Sequence, residues 1–138
     1  MPIEYIFIFS TQTPDLVQRY GRWWIPETER DRKRVLDALM KRPKKTPILT
    51  LYRQRKIAVR CYGDLLFAVG IDSPEYESMA FELIHLIISV LNDYYGNVTE
   101  SDIIHRPDII VHLMEYMICS GILVQPGKAS LVKLLKEI

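Results

Sequence analysis

The sequence predicts a mixed α/β fold with its elements in the order β-β-α-β-β-β-α-α-α. Three observations carry that expectation. Short apolar runs separated by turn residues mark the strands: Ile3–Phe9, then Ile48–Arg53, Lys56–Tyr62 and Leu65–Ile71. From Glu75 to Tyr95, apolar residues recur every three or four positions, which is one face of a long helix. Two shorter patterns of the same period follow Pro107 and Gly127.

Taken in order, Ile3–Phe9 has the composition of a strand buried on at least one face and belongs inside a sheet. Thr11-Gln12-Thr13-Pro14-Asp15 supplies turn chemistry, and Leu16–Trp24 reads as a strand or extended arm returning along the first. After Pro26, the residues Val35, Leu36, Leu39 and Met40 form a narrow apolar stripe on an otherwise charged helix that stops before Pro43. Gln54-Arg55 and Gly63-Asp64 leave room only for tight turns, so the next three strands form a meander.

The long helix is apolar over most of its circumference. Tyr76, Met79, Ala80, Leu83, Ile84, Ile87, Ile88 and Leu91 share one face, and Phe81, Leu86 and Val90 widen it. Ser78, Glu82, His85, Ser89 and Asn92 fill only about a third of the turn at about 100° per residue. One sheet cannot cover such a face, so a third layer or another chain is expected on it. Thr99-Glu100-Ser101-Asp102 offers N-terminal capping to a helix whose first turn takes Pro107 and which carries Ile109, Ile110, Leu113, Met114, Met117 and Ile118. Gly121 is the expected stop. A last short helix carries Leu131, Val132, Leu134 and Leu135.

A length of 138 residues, 49% hydrophobic and 25% charged, suits one soluble domain over 1–138 that can bury its own core. No apolar run reaches the roughly 18 residues of a spanning helix. Met1-Pro2-Ile3-Glu4 lacks the basic start of a secretory leader, so a cytoplasmic chain is expected. Cys61 and Cys119 have no metal-ligand spacing and fit a reducing compartment, where the Asn97-Val98-Thr99 sequon has no acceptor role. The net charge of +1 conceals a division: residues 1–60 hold 14 Lys or Arg against 6 Asp or Glu, and residues 61–138 hold 4 against 11. The basic part includes Arg30-Asp31-Arg32-Lys33-Arg34 and Lys41-Arg42-Pro43-Lys44-Lys45, a cluster suited to phosphoinositides, nucleic acid or an acidic protein.

Catalytic chemistry is not expected. His85, His105 and His112 pair with no ligand at a metal-site spacing, and the six glycines form no phosphate loop. Glu75, Glu77 and Glu82 suit the dipole at a helix start, and Cys61 has no placed base. The reading is a protein with no cofactor and no metal.

Particular residues within Arg53–Asp102 point to a family. Lys56-Ile57, Tyr62-Gly63-Asp64-Leu65-Leu66-Phe67, Ile71-Asp72, Glu82-Leu83-Ile84-His85 and Tyr94-Tyr95-Gly96-Asn97-Val98-Thr99-Glu100-Ser101-Asp102-Ile103 resemble segments of the small sigma subunits of heterotetrameric clathrin adaptors. Gln18-Arg19-Tyr20-Gly21-Arg22-Trp23-Trp24 and the ending from Ser120 to Leu131 extend the resemblance over nearly the whole chain.

The resemblance implies a longin-like α/β fold, a five-stranded antiparallel sheet flanked by helices. It implies packing on a large adaptin subunit, with the medium and second large subunits completing the complex, and peripheral contact with coated vesicle, Golgi, endosomal or plasma membranes through that complex. Nucleic acid is not an implied partner. It further implies recognition of acidic dileucine sorting signals on cargo tails. The positions matching the pocket are Gly63, Leu65, Ile88, Asn97, Val98 and Ile103, with Arg19 facing the signal's acidic residue; Asp64 adds a carboxylate beside that pocket. The alternative is a longin domain of another trafficking factor, a coatomer small subunit or a regulator of a GTPase or fusion protein. A fusion protein would carry a heptad helix after the domain, and the sequence ends at Ile138.

Overall fold

A computed structural model describes residues 3–10, 22–23, 29–41, 47–50, 55–63, 65–119, 122–123 and 127–137. The expected mixture of helices and antiparallel strands is found. Strand β1 (Ile3–Ser10), β2 (Arg22–Trp23), helix α1 (Glu29–Met40), β3 (Ile48–Thr50), β4 (Lys56–Tyr62) and β5 (Leu65–Ile71) come first. The strands lie side by side in the order β2-β1-β5-β4-β3, every pair antiparallel. The three long strands β1, β5 and β4 are its middle, and the short β2 and β3 are its edges. All seven residues of β5 are buried. An unbroken apolar run in place of alternation is what a strand covered on both faces requires.

Each face of the sheet has its own core. Tyr5, Phe7, Ile57, Val59, Leu66 and Ala68 point to one side and pack with Val35 and Leu39 of α1. Ile6, Ile8, Ala58, Leu65, Phe67, Val69 and Ile71 point to the other, where the C-terminal helices lie. The alternation follows from the period of two along each strand. Between Ile3 and Tyr5 the β1–β5 register shifts, which lets Ile3 share the second face with Ile6 and leaves Glu4 at the irregularity. Facing Gly70, the ring of Tyr5 occupies the space that a side chain would need: a Cβ added there would overlap its ring carbons.

Glu4 is 3% exposed, and the half-exposed Arg55 lies 3.6 Å from its carboxylate. Burial pushes its carboxyl above the usual range; Arg55 opposes that shift and Asp72 adds to it. A carboxyl raised on folding favours the folded chain most when protonated, so stability falls as pH rises from the ordinary carboxylate value through the raised one. Glu4→Gln is expected to remove that dependence and to leave stability at neutral pH equal or higher; denaturant melts across that window check it.

After β5, a 3₁₀ turn (Pro74–Tyr76) leads into α2 (Glu77–Tyr95), then α3 (Glu100–His105), α4 (Pro107–Met117), a small ladder of β6 (Ile118–Cys119) with β7 (Ile122–Leu123), and α5 (Lys128–Lys136). This differs from the sequence expectation in two places. The helix expected beyond Thr99 is two helices, because Pro107 denies its predecessor the helical conformation: Arg106 has φ −134° and ψ 69°. Thr99 does cap, in a reciprocal box with Asp102, but it caps α3. The second difference is that Ile118 begins a strand where continued helix was expected; Gly121 lies outside the described residues, as do the expected turn Thr11–Asp15 and the expected arm Leu16–Trp24 apart from Arg22–Trp23.

The cover for α2 comes partly from its own chain. Ala80, Leu83, Ile84, Ile87, Val90 and Leu91 are buried, with the sheet on one side and α5, through Leu131 and Leu135, on the other. Lys56 Nζ meets Glu77 Oε1 at 2.8 Å, and Lys128 Nζ meets Asp93 Oδ2 at 3.0 Å, pinning each end of the helix. Met79 and Leu86 on one flank, and Phe81 and Ile88 on the other, remain half-exposed. Among the described residues no helix is long and apolar enough to cross a membrane.

Candidate functional site

Six of the seven expected site residues lie on the β4–β5 turn, α2, the loop into α3 and α3 itself, and hydrogen bonds through Asn92 link the turn to the loop. The turn is closed by the pair Tyr62↔Leu65, leaving two residues between the strands. Gly63, at φ +58°, takes the left-handed conformation that such short hairpins favour, and glycine adopts it without a Cβ clash. Leu65 follows it into the core.

Beyond α2, Gly96 ends the helix at φ +96°, its N–H donating to the Asn92 carbonyl at 2.8 Å. Its neighbour Asn97 is exposed, and Val98 turns back into the core at 5% exposure. Thr99 and Asp102 then fix the start of α3: the Thr99 N–H donates to Asp102 Oδ2 at 2.9 Å, and the Asp102 N–H donates to Thr99 Oγ1 at 3.4 Å. That start sets the rotation that buries Ile103.

Leu65, Val98 and Ile103 therefore belong to one buried cluster, and Ile88 packs against it half-exposed. Gly63 and Asn97 lie at the surface. Arg19 and Asp64 lie outside the described residues. The cluster is apolar inside, with exposed Gly63 and Asn97 at its edge. Among the described residues, no group of three His, Cys, Asp or Glu side chains is placed to hold a metal ion.

One residue to which the sequence assigns no site role, Asn92, holds this arrangement. Asn92 donates from Nδ2 to the Tyr62 hydroxyl at 3.0 Å and accepts the Val98 N–H on Oδ1 at 2.9 Å, tying the strand turn to the loop after α2. In sequence Asn92 is one more polar residue on the outer arc of a helix, and only its place four residues before Gly96 hints at a cap. Tyr95 lies on the same flank, edge-on to Tyr94 with ring centroids 4.7 Å apart. Its hydroxyl is buried with no hydrogen-bond partner among the described residues, and burial pushes the phenol up to about 12, so it stays neutral at physiological pH. At the start of α4, Arg106 clasps Asp108 through two bonds of 3.0 and 2.9 Å and holds its carboxyl below the usual range.

The same arrangement of sheet, long helix and trailing helices occurs in an adaptor complex. The chain aligns with a structure titled "Homology model of the full-length AP-3 complex in a stretched open conformation" at a TM-score of 0.73 and 17% identity, covering 98% of this chain and 92% of that one. The fold is thus that of an adaptor-complex chain.

Sequence comparison narrows the class. The family model described as "Clathrin adaptor complex small chain" matches residues 2–138, and the chain belongs to that family. Similar relatives include the AP-4 complex subunit sigma of Arabidopsis thaliana, 28% identical over 96% of this chain and 93% of the relative. The human AP-1 complex subunit sigma-3 is 24% identical over 98% of this chain and 88% of the relative.

Proposed function

We propose that the chain is a non-enzymatic sigma-type subunit that packs on the large adaptin chain of a heterotetrameric vesicle coat in the cytoplasm. In this reading residues 1–138 form one longin-like domain whose five-stranded antiparallel sheet is the common frame of the small chains. The carrying observation is the half-buried apolar flank of Met79 and Leu86 on α2, on the side away from Ile88, in a chain of the clathrin adaptor family. Burying such side chains between subunits gains about 25 cal/mol for each Å² of apolar surface removed from water.

The cluster of Leu65, Val98 and Ile103, with Ile88, Gly63 and Asn97 at its margin, is the place for the two aliphatic side chains of an acidic dileucine signal. Arg19 would face the signal's acidic residue. A buried leucine contributes about 1.5–3 kcal/mol, so each signal binds weakly and a coat engages many together.

Co-expression with an adaptin large chain is expected to yield a stable complex on copurification, with the free chain poorly soluble. A monodisperse free chain that ignores the large chain would overturn the assembly role. In the assembled complex, Val98→Ser is expected to weaken an acidic dileucine peptide by about tenfold, one lost apolar contact of about 1.4 kcal/mol, with copurification and circular dichroism checking that this core substitution leaves the fold and the assembly intact. Unchanged titration of the peptide would remove the cargo role alone.

A further inference from the structure

Charge is divided across the sheet as well as along the sequence. Residues 29–45, which comprise α1 and the stretch after it, hold eight Lys or Arg and three Asp or Glu. Residues 72–138, which include the helices α2 to α5 on the opposite face, hold four and ten. Pairing differs between the layers only in part: on the acidic side Lys128 meets Asp93, Arg106 meets Asp108 and Lys56 reaches Glu77 from the sheet, while Lys133 and Lys136 of α5 are exposed and form no ion pair among the described residues. On α1, Lys33, Arg34 and Lys41 are exposed and form no ion pair among the described residues.

Helical geometry explains why they stand together. Val35 and Leu39 anchor α1 to the sheet, and Lys33, Arg34 and Lys41 fall about 100–160° away from Val35 around the axis, on the solvent side, with the exposed Asp37 between Lys33 and Lys41. From Lys33 to Lys41 the helix rises about 12 Å. Arg42, Lys44 and Lys45 continue the basic run in sequence.

From this placement we propose that the outer face of α1 is a direct docking surface for anionic lipid headgroups. The proposal goes beyond membrane contact made only through the complex, and it rests on the coat-subunit reading for the identity of the surface. A layered charge division favours an extended negative plane over a point ligand: such a plane attracts the α1 layer while repelling the α2–α5 layer, and so orients the whole domain. The contact is electrostatic and therefore salt-sensitive, with a reach of about 10 Å at 0.1 M ionic strength and about 3 Å at 1 M.

The test is cosedimentation of the full chain, kept soluble by its large chain if needed, with phosphatidylcholine vesicles containing phosphatidylserine and a phosphatidylinositol phosphate. Lys33→Glu, Arg34→Glu and Lys41→Glu together are expected to lower partition at least about tenfold, each residue being an exposed contributor to the surface attraction. The comparison variant reverses Lys128, Lys133 and Lys136 on α5, which changes net charge equally, and is expected to bind nearly as the unaltered chain does. Circular dichroism checks that both variants fold.

Equal loss in both variants, or none in the α1 variant, would overturn the proposal. So would binding of the unaltered chain to an oligonucleotide or an acidic peptide with none to the vesicles. Any large chain needed for solubility is present in every arm, so its own lipid binding cancels from the comparison. Failure to assemble with a large chain would instead appear in copurification, which leaves the two readings separable.

Discussion

Gly70→Ala is expected to destabilise the folded chain by about 1–3 kcal/mol, the cost of forcing extra volume into a packed core. The same substitution in a Tyr5→Leu background is expected to cost close to nothing. Gly70 lies in β5, buried on both faces, directly across from Tyr5 in the β1–β5 ladder. Its backbone does not need glycine: only Gly63 and Gly96 have positive φ among the described glycines. What it provides is space. The Tyr5 ring, 4% exposed and tilted against Phe7 at 5.6 Å between centroids, covers the glycine, and a Cβ would overlap it. The ring cannot swing away without leaving the core beneath α1. Once the ring is shortened to leucine, alanine adds a little apolar burial and recovers the entropy that glycine loses in a strand.

A double-mutant cycle read by denaturant unfolding measures the coupling. Additive single costs would mean that Tyr5 and Gly70 do not share the space between them. A larger side chain, as in Gly70→Val, is expected to exceed the alanine cost and to weaken β1–β5 pairing, which amide exchange at Ile6 and Ile8 reports.

How much of this was legible in the sequence depended on the range of the cause. The meander of β4 and β5 and the long helix arise from local periodicity and stand where it puts them, as do Val35 and Leu39 of the α1 stripe; the side chains of Leu36 and Met40 lie outside the described residues. The break at Arg106 was local too, because proline restricts the residue before it; a favourable view of Pro107 as a first-turn residue hid the fact that another helix could end just before. The β6–β7 ladder was harder, since two paired residues per strand leave no pattern to find. For the site, Leu65, Val98 and Ile103 share a cluster although as many as 38 residues separate them, and no period links a strand turn to a helix exit. Their convergence came from family resemblance. The tie at Asn92 is long-range in the same sense, as its partners sit 30 residues before it and six after.

That tie carries the second large prediction. Asn92→Ala is expected to destabilise the chain by about 1–3 kcal/mol, because it leaves the Val98 N–H without its acceptor beside a buried side chain. The Tyr62 hydroxyl loses its partner too, but Tyr62 is half-exposed and water can replace the amide, so most of the cost belongs to Val98. The loss should be local before it is global. Gly96 stays bonded to the Asn92 carbonyl and Thr99 stays in its box with Asp102, so residues 97 and 98 loosen between two fixed ends.

Amide exchange at Val98 is therefore expected to accelerate about tenfold or more, the equivalent of about 1.4 kcal/mol, while amides of β5 change little. Asn92→Asp separates the hydrogen bond from the helix position. Its carboxylate can accept from both the Val98 N–H and the Tyr62 O–H, and a charged acceptor makes the stronger bond. Protection at neutral pH should return with aspartate and weaken as the carboxylate is protonated on acidification. If alanine and aspartate protect Val98 equally well at neutral pH, the hydrogen bond through Asn92 does not hold the loop. If they differ as expected, the turn at Gly63 and the loop at Asn97 are kept in register by one amide, which is the rigidity that the proposed dileucine site between them would require.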